Sequence, residues 1–379
     1  MTMVHHDQRP YEVAVSEAAK TFQRRLEEQI HGSVQRVTNV IEQIQNDVPN
    51  DAVVAGKLLK FAPVWNDQHR GVDMITPDGQ QLTLHDHAIQ QIGNRANIKN
   101  LTTVVREMRE RGEWGAKLVA HMFNEIYSHL NGDRFLVRAV RGEVRGFLSD
   151  AYRRLDARPL MEAFIHAVQR LGARPIDGFA LQTKIKIRAI LPYVMEPFPG
   201  ELMAFGAELG DSDYGDGAVS VRGIVQRMWC TNTAVTEDVL NQVHLGRRLP
   251  DNVQFSEQTY QLDTKAFASA VNDVTARVLG APAVNNYLGL VRTANEQKIE
   301  ARDITAWVKK NLGKEEGEKT VAKFTSPDME LLPQGQTAWR WSNAISWLAN
   351  ETEDEHRKVE LQELAGTFLQ PKKGEAVKQ

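Results

Sequence analysis

The chain has 379 residues, 42% hydrophobic and 25% charged, with a formal net charge of −3. This is an ordinary globular composition, and it excludes a globally basic nucleic-acid binder, so any attraction to phosphate must come from local patches. The single Cys230 excludes an intramolecular disulfide and a cysteine-only zinc site.

No apolar run approaches the roughly 18–20 residues that span a bilayer. The N-terminal stretch MTMVHHDQRPYEV lacks the apolar core of a signal peptide. A cytoplasmic protein with no membrane contact is therefore expected.

Residues 1–12 read as a tail. Phe22, Leu26, Ile30, Val34, Val37, Ile41, Ile44 and Val48 recur at spacings of three and four. That pattern predicts a long amphipathic helix over 16–48, closed by Pro49-Asn50. Its stripe suits self-association as well as packing on its own domain. Residues 74–84 carry a Pro-Asp-Gly turn and read as a hairpin. A short helix follows, starting at Thr83 or His85 and ending at Gly93-Asn94. His85 and His87 sit two apart and do not share a helix face, so they make a poor metal pair. Helices are also expected over 101–111 and 115–130.

Two strands, FLVRAV and VRGFLS, flank Arg141-Gly142-Glu143 within 135–149. A helix over 151–171, a strand over 179–191 and a strand over 202–209 follow, then an apolar element over 218–230. This order predicts an α+β fold: an antiparallel sheet with a β-β-α-β-β-α core, a long N-terminal helix and a helical C-terminal region. Residues 264–279, 283–298 and 303–312 read as helices. The units are then 1–50 (tail and long helix), 51–312 (α+β core with helical extension), a charged linker over 313–336, a helical pair over 337–370 and a tail over 371–379.

Lys184, Lys186 and Arg188 alternate with apolar residues, so one strand face is greasy and the other cationic. Cations two residues apart on a strand are about 6.6 Å apart, a pitch comparable to successive phosphates on an extended single strand. Such contacts bind without reading sequence. An ordinary strand with a solvated Lys/Arg face fits the same text. The preceding segment adds Arg138, Arg141, Arg145, Arg153 and Arg154 as further phosphate partners. Phe147, Tyr152, Phe179, Tyr193 and Phe198 are interleaved with these cations.

Among acidic residues, Glu208, Asp211, Asp213 and Asp216 are the best metal candidates. Twelve-residue counting from Asp211, however, places Arg222 where a calcium loop needs its bidentate glutamate. No Walker A loop, G-x-S-x-G, H-E-x-x-H or G-x-G-x-x-G occurs. Cys230 reads as a small buried apolar residue. No enzyme activity and no cofactor are expected.

Ser149-Asp150-Ala151-Tyr152-Arg153-Arg154-Leu155-Asp156 resembles a phrase of the phage/plasmid-like family called domain of unknown function nine-three-two. Asp211-Ser212-Asp213-Tyr214-Gly215 with Cys230-Thr231-Asn232 resembles a later phrase, although Asn232-Thr233 departs from that family's Asn-Gly. Residues 82–93, and Thr337-Ala338-Trp339 with Asn343-Ala344-Ile345, resemble its early and C-terminal helices. The resemblance covers about 80–370 and extends, by analogy of element order, to phage single-strand annealing proteins of the Red-beta, Erf and Rad-fifty-two type. It implies a homo-oligomeric single-stranded DNA-binding and annealing protein that works without ATP. A metal-dependent nucleic-acid enzyme and a phage assembly or host-interaction protein are the alternatives.

Overall fold

A computed structural model describes residues 16–129, 133–227, 233–242, 244, 255–326 and 332–369. Cys230, the Cys-Thr-Asn phrase and both tails lie outside the described residues.

The first apolar stripe folds as α1 (Glu17–Asn46), whose N-cap Ser16 accepts from the Ala19 N–H. Four short strands follow: β1 (Asn50–Ala55), β2 (Lys60–Trp65), β3 (Arg70–Ile75) and β4 (Gln81–Leu84). Next come α2 (Asp86–Arg95), α3 (Leu101–Glu110) and α4 (Glu113–Ser128). A hairpin, β5 (Arg134–Val140) and β6 (Glu143–Ser149), leads to α5 (Ala157–Arg170). The chain then lays down β7 (Arg174–Ala180), β8 (Ile185–Ile190), β9 (Met203–Asp211), β10 (Val219–Arg227) and β11 (Thr233–Gln242). It finishes with α6 (Glu257–Val278), α7 (Ala281–Glu296), α8 (Ala301–Asn311), α9 (Lys314–Thr325), α10 (Ala338–Glu351) and α11 (Glu355–Gly366).

The fold is α+β, with a long N-terminal helix and C-terminal helices, as the pattern predicts. The expected strand–strand–helix–strand–strand order is present, but its strands belong to two sheets. One sheet runs β1-β5-β6-β4-β3-β2, and the other runs β11-β10-β9-β8-β7. In the first, β4 and β6 are parallel while the remaining pairs are antiparallel. The second is antiparallel throughout. The reason lies in β1, which claims the free edge of β5, so the hairpin completes a sheet with strands that precede it.

Turn chemistry explains the hairpin itself. Val140 pairs with Glu143, leaving Arg141 and Gly142 as a two-residue loop, and both have positive φ (52° and 84°). Two left-handed residues in a row give the turn whose twist matches flanking strands.

Each sheet has its own core. Ile89, Val105, Val119, Phe123 and Tyr127 from α2, α3 and α4 pack on Phe135, Val137 and Phe147 of the first sheet. Leu160, Phe164, Val168 and Val271 from α5 and α6 pack on Ile187, Leu209 and Val221 of the second. The seam of α1 is spent inside the molecule: Ala19, Phe22 and Leu26 bury against Ile176, Ile190, Val194 and Leu202. Val40 and Ile44 join the second core. This removes the helix stripe as a self-association surface, although Val34 and Val48 remain exposed.

The expected linker over 313–336 is a helix for half its length. Phe324 of α9 is buried, and Gly317 lets α9 approach α8 so closely that a Cβ there would sit 2.4 Å from Val308 Cγ1. Buried Arg340 of α10 anchors the end of α9 and Pro333, donating to the carbonyls of Phe324, Ser326 and Pro333. No helix among the described residues is long and apolar enough to cross a membrane.

Candidate functional site

The alternation in β8 places Ile187 and Ala189 in the core and Lys186 and Arg188 on the opposite face. Backbone register then sets charges side by side. Arg188 lies between Asp177 of β7 and Glu208 of β9, and Glu208 lies between Arg188 and Arg222 of β10. Glu208 is completely buried. It accepts from Arg188 Nε at 2.6 Å and lies 3.2 Å from Lys186 Nζ. Burial pushes this carboxyl up, but Arg188 and Lys186 outweigh it and hold Glu208 at about 2.

Helix α11 roofs the row. Gln362 accepts from Arg188 Nη2 at 2.6 Å, and Glu363 Oε1 takes Lys186 Nζ at 3.2 Å together with Arg222 Nη1. The face expected as either a row of phosphate contacts or a solvated cationic face is covered by α11 and paired with carboxylates of the chain. Lys184 lies in the connection between β7 and β8 rather than in a strand, 3.2 Å from Asp216.

The hairpin arginines serve the junction of the two sheets. Arg138, fully buried, donates to Asp51 at 2.8 Å, to Asp156 at 2.6 Å and to the carbonyl of Asp213 at 2.8 Å. Arg145 bonds Asp47 and Glu143, and Arg141 reaches Asp47 from a mostly exposed position. Arg153 grips both oxygens of Asp263 at 2.7 and 2.8 Å. Arg154 pairs with Asp51 and lies over the Tyr260 ring. These five side chains, expected to grip phosphate, bind carboxylates of their own chain and join its elements. The long lever arms of arginine and their distant acidic partners produce this outcome.

The acidic turn does not gather a metal. Asp211 faces His244, Asp213 accepts from the Ala157 N–H at the start of α5, and Asp216 accepts from Thr183 Oγ1 at 2.8 Å. Glu208 belongs to the row described above. Among the described residues no group of three or more His, Cys, Asp or Glu could hold a metal ion. Burial, reinforced by neighbouring Asp211, pushes Asp213 well above the ordinary carboxylate range.

His244 lies just beyond the end of β11, its ring stacked on Tyr152 with centroids 4.9 Å apart and planes 3° from parallel. Its Nδ1 lies 3.0 Å from the Arg153 carbonyl and must therefore donate there. Its Nε2 lies 3.2 Å from Asp211 Oδ1. Burial pushes the Asp211 carboxyl up.

Two hollows border the loop that follows Asp211. One, about 640 Å³, is lined by Gln91, Arg95, Phe147, Tyr152, Gly215 and His244 among others. The second, about 310 Å³, has Lys184, Lys186, Arg222 and Ser220 on the sheet side. Its other wall is His356, Val359, Glu360 and Glu363, one face of α11. Gly217 and Ala218 line both hollows, so small side chains form a low saddle between them. Gln91 fixes the saddle to the first sheet, donating to the Tyr214 carbonyl at 2.8 Å and accepting from the Phe147 N–H at 2.6 Å.

Sequence reasoning singles out Tyr152 and misses Arg95, His244 and Glu363 as lining residues. No spacing rule links them, because they arrive from α2, the end of β11 and α11. Comparison with family models, with curated proteins and with solved structures finds no match for this chain.

Proposed function

We propose that the chain is a non-enzymatic single-stranded DNA-binding protein whose strand lies in the groove over Gly217 and Ala218. One observation carries the reading: the two hollows share Gly217 and Ala218 in their walls, with Lys184, Lys186 and Arg222 lining one and exposed Arg95 and Tyr152 lining the other. Cations at intervals along a groove with aromatic rings in its wall suit a phosphate backbone with bases turned inward.

Asp216, Glu360 and Glu363 share the groove, so binding is weak and strongly dependent on salt. Annealing additionally requires several copies on one strand, since tethered weak sites gain affinity through effective concentration. With the α1 seam internal, assembly uses other surfaces, the outermost strand β1 among them.

Hydrogen exchange with and without an oligothymidylate tests the site. Slowed exchange is expected in residues 91–95 and 215–222. Protection confined to other segments, or none at saturating oligonucleotide, removes the groove as the binding path.

A further inference from the structure

Glu363 stands where a ligand anion would stand. Its Oε1 receives both Lys186 Nζ and Arg222 Nη1, two cations from β8 and β10 that converge on one oxygen. We propose that Lys186 and Arg222 form a phosphate seat which Glu363 occupies from within the chain, and that a phosphate group binds by displacing that carboxylate. The proposal deepens the DNA-binding reading by giving the groove a built-in competitor.

Three observations support the exchange. The first is charge. Glu363 Oε1 meets two cations at once, Lys186 Nζ and Arg222 Nη1, and a phosphate group offers that pair more oxygens and more negative charge than one carboxylate does.

The second is access. The Glu208 side chain is 0% exposed and that of Glu363 is 39% exposed, so only Glu363 can exchange its partners for water at modest cost. The third is room. The seat opens on the hollow of about 310 Å³, where Ser220 and His356 offer further hydrogen-bond donors.

The displaced carboxylate needs only a side-chain rotation. Helix α11 itself stays docked, because Leu361 and Ala365 are buried and Gly366 abuts β11. A Cβ at Gly366 would lie 1.5 Å from the Val235 carbonyl oxygen, so the backbones are already in contact there. An internal carboxylate at high effective concentration keeps free phosphate weak and favours ligands that present several phosphates together.

Isothermal titration of the full chain with tripolyphosphate, and separately with a single-stranded oligodeoxynucleotide, tests this. Glu363→Gln should bind tripolyphosphate at least about ten-fold more tightly than wild type. Adding Lys186→Ala to that variant should abolish the gain, and Glu360→Gln should leave affinity within about three-fold of wild type. Glu363→Asp, which retains charge but shortens the reach, should fall between, and it decides the matter if Glu363→Gln melts early.

A gain for both ligands supports the seat and its place on the DNA path. A gain for tripolyphosphate with none for the oligonucleotide supports the seat and removes the DNA reading. A folded Glu363→Gln that binds tripolyphosphate no better than wild type overturns the proposal.

Discussion

Arg188 and Glu208 sit directly opposite one another on adjacent strands, with Arg188 Nε 2.6 Å from Glu208 Oε2 and the carboxylate fully buried. Breaking such a pair by removing one partner leaves an uncompensated buried charge and costs about 3–5 kcal/mol. Arg188→Ala and Glu208→Ala should each lower stability in chemical denaturation by that order.

The same pair gives a pH signature. Glu208 is held at about 2 in the folded chain, below its usual value of 4.5. A depressed carboxyl contributes stability that is fully present above its unfolded value and lost as pH falls through the folded value. Wild-type stability should therefore decline between about pH 4.5 and 2, more steeply than that of Glu208→Gln. Denaturation curves at successive pH values check this. Parallel pH profiles for the two proteins would mean that the pair contributes nothing to acid stability.

Arg138 separates a joining role from a ligand role. Its guanidinium holds Asp51, Asp156 and the Asp213 carbonyl at the junction of the sheets. Arg138→Ala should cost about 3–5 kcal/mol and lower the melting temperature markedly. A variant that melts as wild type does but loses oligonucleotide binding would return Arg138 to the phosphate contacts.

Much of the fold was legible because its signals are local. The α1 stripe, the Arg141-Gly142 turn and the alternation of Ile187 and Ala189 with Lys186 and Arg188 depend on residues a few places apart. The partners that cover those faces were not legible. Glu363 lies 177 residues from Lys186, and Glu208 reaches Arg188 only through strand register. Cation spacing alone reads the same whether the opposing anion is a phosphate or the chain's own carboxylate. The helix α9 was hidden for a related reason: its Lys and Glu text is that of a linker, while Phe324, Gly317 and distant Arg340 fix it in place.

The N-terminal helix offers a stability test. Leu26 is 0% exposed and belongs to the α1–sheet core. Leu26→Ala should cost about 2–5 kcal/mol. Deleting residues 1–50 should give a chain that aggregates or loses its cooperative melt, since it also removes Val40 and Ile44 from the larger core. A truncated chain with a cooperative melt at the wild-type temperature would contradict this packing account.

The groove claim is tested most directly by fluorescence anisotropy with a labelled single-stranded oligodeoxynucleotide over a series of salt concentrations. Lys184, Lys186, Arg222 and Arg95 line the path. Each phosphate neutralised on a single strand contributes about −0.7 to the log–log salt slope, so four set a limit near −3. Wild type should bind with a slope between zero and that limit. Arg95→Glu, an exposed change that leaves the junction intact, should weaken binding several-fold and make the slope shallower. Absence of binding by wild type at low salt, or unchanged affinity and slope in Arg95→Glu, would contradict the account.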